Sequence, residues 1–376
     1  VIPFRAAPAA PRPAPGFGTA PATDQRIRVM VCDDSLTVRG ALCRLIEAEA
    51  TLELVARAGN GAEAIRQLPT AKPDVLVLDI EMPVMDGMAA LPELLRAEPK
   101  LKILMASTLT TRGADIALRA LRLGAADYVP KPTGASAITG EAAFRDEFIT
   151  KIKGLGAMRR RQAAPPRPAP MVLRTAATAA TGQKPRALAI GSSTGGPQAL
   201  FTLFGALPRA FPIPIVLTQH MPKTFTTILA EHITKLGGIP CAEARDGDAL
   251  APGRALLAPG DRHLLVEARG EALVARLSDA PPENFCRPAV DPMLRSLAAA
   301  TGGRTLAVIL TGMGHDGLAG ARALVQAGGQ VIAQDEATSV VWGMPGAVTQ
   351  AGVAREVLPL PAIGPRINEL TGGGRA

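Results

Sequence analysis

Five polar side chains in the first third of the chain stand where short apolar runs end. VMVCDD finishes on Asp33 and Asp34, VLVLD on Asp79, KILMAS on Ser107 and DYVPK on Lys131. Carboxylates gathered at one place repel one another and raise each other's pKa unless a cation sits among them. Oxygen ligands with room for water suit Mg²⁺. A hydroxyl and an ammonium beside such a cluster suit phosphoryl transfer, in which positioning and charge neutralisation carry the reaction. The set predicts Asp79 as a phosphate acceptor, with Asp33 and Asp34 holding Mg²⁺ and Ser107 and Lys131 touching the phosphoryl oxygens. Taken singly, each is an ordinary strand-end polar residue. Together, on four run ends in this order, they point to chemistry.

A second constellation begins at RALAIGSSTGG, where Ser193 is the centre of a G-x-S-x-G turn from Gly191 to Gly195. Such a turn lifts a hydroxyl above a sheet edge, with the N–H groups of the next helix close to a developing oxyanion. A serine nucleophile needs a base, and the chain has four histidines. His232 lies in helical text, where a solvated histidine is expected, and His263 in a turn. His220 ends the run IVLTQH directly after the unit carrying Ser193, so it projects at the same crevice, and His315 is its rival. Asp316, in TGMGHDG, is the candidate acid that orients the base, with Asp291 and Asp335 as alternatives. The order Ser…His…Asp differs from the Ser…Asp…His of α/β-hydrolases, but geometry rather than order defines a triad.

Both constellations need strands that deliver their ends to one edge. From Arg26 onward, apolar runs alternate with stretches of helical spacing: runs at RVMVCDD, LELVARAG, DVLVLDI, KILMAS and ADYVPK, helices at about 36–50, 61–69, 88–97, 110–123 and 141–158. A second alternating block starts at Arg186, with runs RALAIGSS, IPIVLTQH, GRALLAP, TLAVILTG and QVIAQD. Strands alternating with helices imply parallel sheets covered by helices on both faces. The expected organisation is a Pro/Ala-rich disordered tail at 1–25, an α/β unit at 26–150, a basic Pro/Ala-rich linker at 151–185 and a second α/β unit at 186–370. A length of 376 residues fits two such units, since single cores seldom exceed about 250–300 residues.

The net charge of +8 arises largely where no Asp or Glu occurs between Glu147 and Glu231, a stretch holding eleven Lys or Arg. A solvated linker explains that charge. With one Trp and one Tyr there is little for base stacking, so no nucleic-acid role is expected. Cys32, Cys43, Cys241 and Cys286 form no metal-ligand spacing and read as free thiols of a reducing, cytoplasmic protein. No run is long enough to cross a membrane, and Pro8, Pro11, Pro13 and Pro15 exclude an export signal.

DDS, LDIEMPVMDG, the hydroxyl residue after the fourth run and K-P after the fifth together resemble response-regulator receivers over about residues 26–132. The resemblance implies a flavodoxin-like fold with a five-stranded parallel sheet. It makes the backbone carbonyl of Glu81 a further Mg²⁺ ligand and Tyr128 a switch aromatic whose rotamer follows phosphorylation. IGSSTGG, TQHMP, LAPGDRHL, RPAVDPM, ILTGMGHDG and WGMPGAV, in that order, resemble the catalytic domain of chemotaxis protein-glutamate methylesterases. That likeness implies a doubly wound α/β domain and a triad of Ser193, His220 and Asp316, with the Met313 backbone as oxyanion donor and no hydrolase cofactor. It further implies a monomeric enzyme that demethylates, and deamidates, methyl-accepting chemoreceptors, with a cognate histidine kinase as phosphodonor. Ser192 and His315 depart from the family's alanine and asparagine, and Ser192 places a second hydroxyl at the turn.

Overall fold

Runs of Val, Leu, Ile and Ala build two parallel sheets in the computed structural model, which describes residues 26–131, 142–163 and 184–372. The first sheet holds β1 (Ile27–Cys32), β2 (Leu52–Ala58), β3 (Val75–Asp79), β4 (Lys102–Thr108) and β5 (Asp127–Lys131) in the order β2-β1-β3-β4-β5. Every pairing in it is parallel. The connections are α1 (Leu36–Glu47), α2 (Gly61–Ala71), α3 (Gly87–Ala97) and α4 (Thr111–Arg122). Side chains of Ser35, Asn60, Asp86 and Thr110 accept backbone N–H groups at their four starts, which satisfies donors the helix leaves free. At Gly87 a Cβ would stand 2.1 Å from the Asp79 carbonyl oxygen, so glycine lets α3 begin against the end of β3.

The next helix, α5 (Ala142–Ala163), is unbroken for 22 residues. It buries Phe148, Ile152 and Leu155 with β1, β3 and β4. The expected domain boundary at 150 therefore falls inside a helix, because its apolar residues continue to find the sheet beyond that point. The expected tail at 1–25, and residues 164–183 of the expected linker, lie outside the described residues.

The second sheet has seven parallel strands in the order β14-β13-β12-β6-β7-β9-β8. They are β6 (Ala187–Ser192), β7 (Ile215–Gln219), β8 (Cys241–Glu243), β9 (Ala255–Leu257), β12 (Thr305–Ile309), β13 (Gln330–Gln334) and β14 (Glu356–Leu358). Packed on it are α6 (Gly196–Gly205), α7 (Lys223–Gly237), α8 (Val290–Thr301), α9 (Leu318–Gln326), α10 (Met344–Gln350) and α11 (Leu360–Thr371). The two-unit α/β architecture is the expected one. A separate antiparallel hairpin, β10 (His263–Arg269) with β11 (Ala272–Ser278), interrupts the α/β alternation and was not expected from it.

The two units share one apolar cluster, which runs from Leu118 and Tyr128 of the first to Phe201 and Phe225 of the second. Tyr128 stacks on Phe225 of α7 with ring centroids 4.7 Å apart. Asp115 of α4 meets His232 of α7 at 3.0 Å. Arg161 of α5 donates to the Ser339 carbonyl at 3.0 Å. His232 is thus not the solvated surface histidine expected of its helix. It is only 2 % exposed, because α4 covers that face of α7.

Candidate functional site

The strand order of the second sheet reverses between β6 and β12, and at such a switch point the carboxyl ends of the strands open a crevice. Ser193 follows β6, His220 follows β7 and Asp316 lies in the loop after β12. The His220 N–H donates to the Ser192 carbonyl at 3.1 Å. The Gln219 amide nitrogen donates to the carbonyls of Ser193 (2.9 Å) and His220 (3.0 Å), strapping the two strand ends together. The Ser192 hydroxyl is buried and donates to Gln219 Oε1 at 2.7 Å. Ser193 is half-buried, and its hydroxyl has no hydrogen-bond partner among the described residues. Of the two hydroxyls at the turn, Ser192 is committed to structure and Ser193 is available.

Gly312 packs directly on this serine: a Cβ there would stand 2.8 Å from Ser193 Cβ and 2.3 Å from Met344 Sδ. Its neighbour Met313 is exposed.

His220 Nε2 and Asp316 Oδ2 are 2.7 Å apart. The acid is buried and also accepts N–H groups of Val290 (2.6 Å), Asp291 (3.1 Å) and Gly317 (2.9 Å), and the Asn284 amide at 3.0 Å. Burial opposes its charge, but the hydrogen bond and charge of His220 with these N–H groups outweigh burial and lower the Asp316 carboxyl. Burial likewise disfavours a charged His220. Its bonds to Asp316 and to the Cys286 sulfur, 3.4 Å from Nδ1, prevail and raise the ring to about 9.

The rivals fall elsewhere. His315 is exposed. His263 is buried with both ring nitrogens used, by the Pro281 carbonyl and the Ala289 N–H. Asp335 accepts the N–H and hydroxyl of Thr338 in its own turn. Asp291 sits behind Asp316 and accepts from Gly320 N–H and Asn284. Burial raises the Asp291 carboxyl, and the charge of Asp316 adds to that.

In the first sheet the order reverses between β1 and β3. Asp33, Asp34 and Asp79 offer oxygens within 4.8 Å of one another there. Lys131 Nζ stands 2.6 Å from both Asp33 Oδ2 and Asp79 Oδ1. Burial raises the Asp79 carboxyl, the Lys131 charge opposes this, and Asp33 adds to it. Asp33 is buried and Asp34 exposed, so the cluster is open on one side. Two negative charges remain after Lys131 is counted against three carboxylates, a donor set that fits a hard divalent cation. Ser107 is buried at the end of β4, and Glu81 follows β3 by two residues. Tyr128 is buried against Phe225, with Lys151 Nζ 4.9 Å from its ring centre.

A residue that sequence reasoning passed over ties the first sheet to the serine turn. Asp127, 1 % exposed on β5, accepts the Gly195 N–H at 3.1 Å, two residues beyond Ser193. Burial raises the Asp127 carboxyl, opposed by Lys151 at 3.7 Å and the N–H groups of Tyr128 and Gly195. Asn284 and Cys286 were also missed. Their segment PENFCRP has no periodicity and no motif spacing, and only the fold brings it to His220.

Family models for the CheB methylesterase and for the response regulator receiver domain match residues 188–367 and 29–143. The chain is 53 % identical to a protein-glutamate methylesterase/protein-glutamine glutaminase of Paramagnetospirillum magneticum, over 93 % of this chain and 97 % of that one. It is also 53 % identical to the enzyme of that name from Azospirillum brasilense, over 96 % of each. Among solved structures, the Thermotoga maritima CheB methylesterase catalytic domain aligns at 42 % identity, covering 50 % of this chain and 100 % of that domain, with a TM-score of 0.49.

Proposed function

The chain belongs to the protein-glutamate methylesterases, and we propose that within it Ser193 is the nucleophile, His220 the general base and Asp316 the acid that holds the base. It is a methylesterase and glutaminase governed by a response-regulator receiver. The observation that carries the residue assignment is the His220–Asp316 bond of 2.7 Å at the switch point, one strand from a serine whose hydroxyl is unclaimed among the described residues.

Nε2 of His220 is committed to Asp316, so Nδ1, which here meets the Cys286 sulfur, is the ring nitrogen that takes the Ser193 proton. The Ser193 oxygen then attacks the γ-carbonyl of a methylated glutamate. Met313 N–H donates to the oxygen that becomes negative. The intermediate expels methanol, protonated by His220, and leaves an acyl-serine. Water, deprotonated by His220, attacks that ester and releases glutamate and the serine. A glutamine amide follows the same course with ammonia as leaving group. The substrates in this reading are chemoreceptor glutamyl side chains, and the enzyme acts in the cytoplasm as a monomer. No helix among the described residues is long and apolar enough to cross a membrane.

Asp79 is the residue that takes the phosphoryl group from a histidine kinase. Asp33, Asp34, Asp79 and the Glu81 carbonyl would hold Mg²⁺, which screens the charge on the transferring oxygens. Ser107 and Lys131 would bind those oxygens, so Lys131 must leave its present place between Asp33 and Asp79. Phosphorylation turns the singly charged Asp79 carboxylate into an acyl phosphate of about −2, a net gain of about one negative charge carried further out on the phosphoryl oxygens. Lys131 ends the strand that carries Tyr128 and Asp127. A shift of that strand disturbs the Tyr128–Phe225 stack and the Asp127–Gly195 bond together. This contact supports reading the receiver as a lid whose release is a population shift.

Two results check this. In Asp79→Asn a small phosphodonor no longer changes the rate of methanol release from methylated receptor membranes, whereas it stimulates the wild type. A stimulated Asp79→Asn would move the phosphorylation site. The second concerns pH. His220 raised to about 9 is protonated below that value and is no base. In the unphosphorylated protein methanol release should climb with pH toward 9, close to tenfold per unit well below the midpoint. With Ser193→Ala subtracted as the blank for alkaline ester hydrolysis, a rate flat from pH 6 to 9 would contradict it.

A further inference from the structure

Glu283 and Cys286 exchange both of their backbone hydrogen bonds, at 3.0 and 2.9 Å. The two residues between them are thereby held at positive φ, 53° for Asn284 and 62° for Phe285. L-residues avoid that region, and a bulky aromatic there is an outlier. Such strain persists where the surroundings impose it and clusters at functional sites. The turn is anchored from outside by Glu283, whose two carboxylate oxygens each accept from Arg295 of α8 at 2.6 Å.

This one turn delivers two side chains to the hydrolytic site. Asn284 Nδ2 donates to Asp316 Oδ1 at 3.0 Å and to Asp291 Oδ2 at 2.9 Å, standing between two carboxylates that would otherwise face each other. Cys286 Sγ lies 3.4 Å from His220 Nδ1, the nitrogen that must take the serine proton. We propose that the Glu283–Cys286 turn is a positioning element of the esterase, in which Asn284 sets the acid and Cys286 holds the base until it turns to Ser193. The inference rests on the reading of Ser193, His220 and Asp316 given above.

The chemistry fixes the direction of each effect. The Cys286 sulfur can accept Nδ1–H of the protonated ring or donate its S–H to the neutral one; of the two, the contact favours the protonated ring, and its removal lets the ring lose its proton at lower pH. An Asp at 284 replaces a donor by a third carboxylate and holds the proton on the ring to higher pH. Asp316 and Cys286 face the ring directly. Behind them stand Asp291 on α8, the Glu283–Arg295 pair, His263 on β10 and the exposed His315.

The test is kcat/KM for methanol release against pH, from 6 to 10, on the phosphodonor-activated full chain. Wild type is compared with Cys286→Ala, Cys286→Ser and Asn284→Asp. The acid limb of kcat/KM reports the base of the free enzyme. The expected result is a limb lower by about one pH unit for Cys286→Ala and higher for Asn284→Asp. Cys286→Ser, which keeps a polar atom at the site, stays closer to wild type than Cys286→Ala does. Superposed limbs for all four proteins would overturn the proposal. So would a Cys286→Ala as inactive as Ser193→Ala, because the thiol would then be a reacting group and not a holder. A Ser193→Ala that turns over like wild type would instead sink the triad reading, whatever the other limbs do.

Discussion

Ser193→Ala lowers methanol release by about 10⁴–10⁶-fold, the loss seen when a serine hydrolase keeps its base and oxyanion donors but has no nucleophile. The substitution removes one hydroxyl that is bonded to nothing else among the described residues. The Gln219 strap between the Ser193 and His220 carbonyls is made by backbone acceptors and survives it. Folding and receiver phosphorylation should therefore be unchanged, and the whole effect should fall on turnover. Ser192→Ala supplies the contrast. Its hydroxyl is buried on Gln219 Oε1, so its loss leaves that oxygen unpaired and costs about 1–3 kcal/mol of stability. Its effect on turnover comes only through a loosened Gln219 and stays orders of magnitude below that of Ser193→Ala. Thermal melting separates the two: Ser192→Ala lowers the midpoint, Ser193→Ala does not. If the two losses of activity were interchanged, Ser192 would be the nucleophile.

What could be read from the sequence follows from what each element reports locally. Asp33, Asp34, Asp79, Ser107 and Lys131 were legible because each ends an apolar run, and parallel strands carry their ends to one edge. Ser193 and His220 were legible for the same reason and Asp316 through the motif TGMGHDG in the loop after β12, and β6, β7 and β12 are neighbours in the sheet. The hairpin of β10 and β11 was not, since it stands outside the alternation that located the other strands. The short strands β8 and β14 are mostly half-buried and carry too little apolar pattern to be seen, whereas β9, as short but more buried, stands out in GRALLAP. His232 was misjudged because its helix has a polar face in sequence that a second unit covers in space. Asn284 and Cys286 sit on a turn whose position depends on the Glu283–Arg295 pair and on α8 behind it, which is tertiary information alone. The same holds for Asp127. It lies beside a glycine 68 residues away in sequence, and nothing in ADYVPK announces that neighbour.

Asp316→Asn should lower kcat by about 10⁴-fold, as when the acid of a serine triad becomes an amide and the histidine is left in the wrong tautomer. The reason here is a count of donors. Asp316 Oδ2 accepts from His220 and the Val290 N–H, and Oδ1 from Asn284 and the N–H groups of Asp291 and Gly317. An asparagine has one accepting oxygen. Whichever way its amide turns, an NH₂ group faces either the Val290 N–H and His220, or three N–H donors. If the NH₂ faces His220, Nε2 must become the acceptor and the proton moves to Nδ1, the nitrogen that has to receive the serine proton. The ring also loses the carboxylate that raised it, so any residual activity should show an acid limb below the wild-type one, opposite to Asn284→Asp. Asp316→Asn and Asn284→Asp exchange the same two atom types across one contact, yet only the first removes the anion. A kcat loss confined to Asp316→Asn, with Asn284→Asp moving the limb and sparing most of kcat, would place the charge requirement on Asp316 itself. Comparable losses of kcat in both would mean that the shape of the pocket, and not its charge, holds the base.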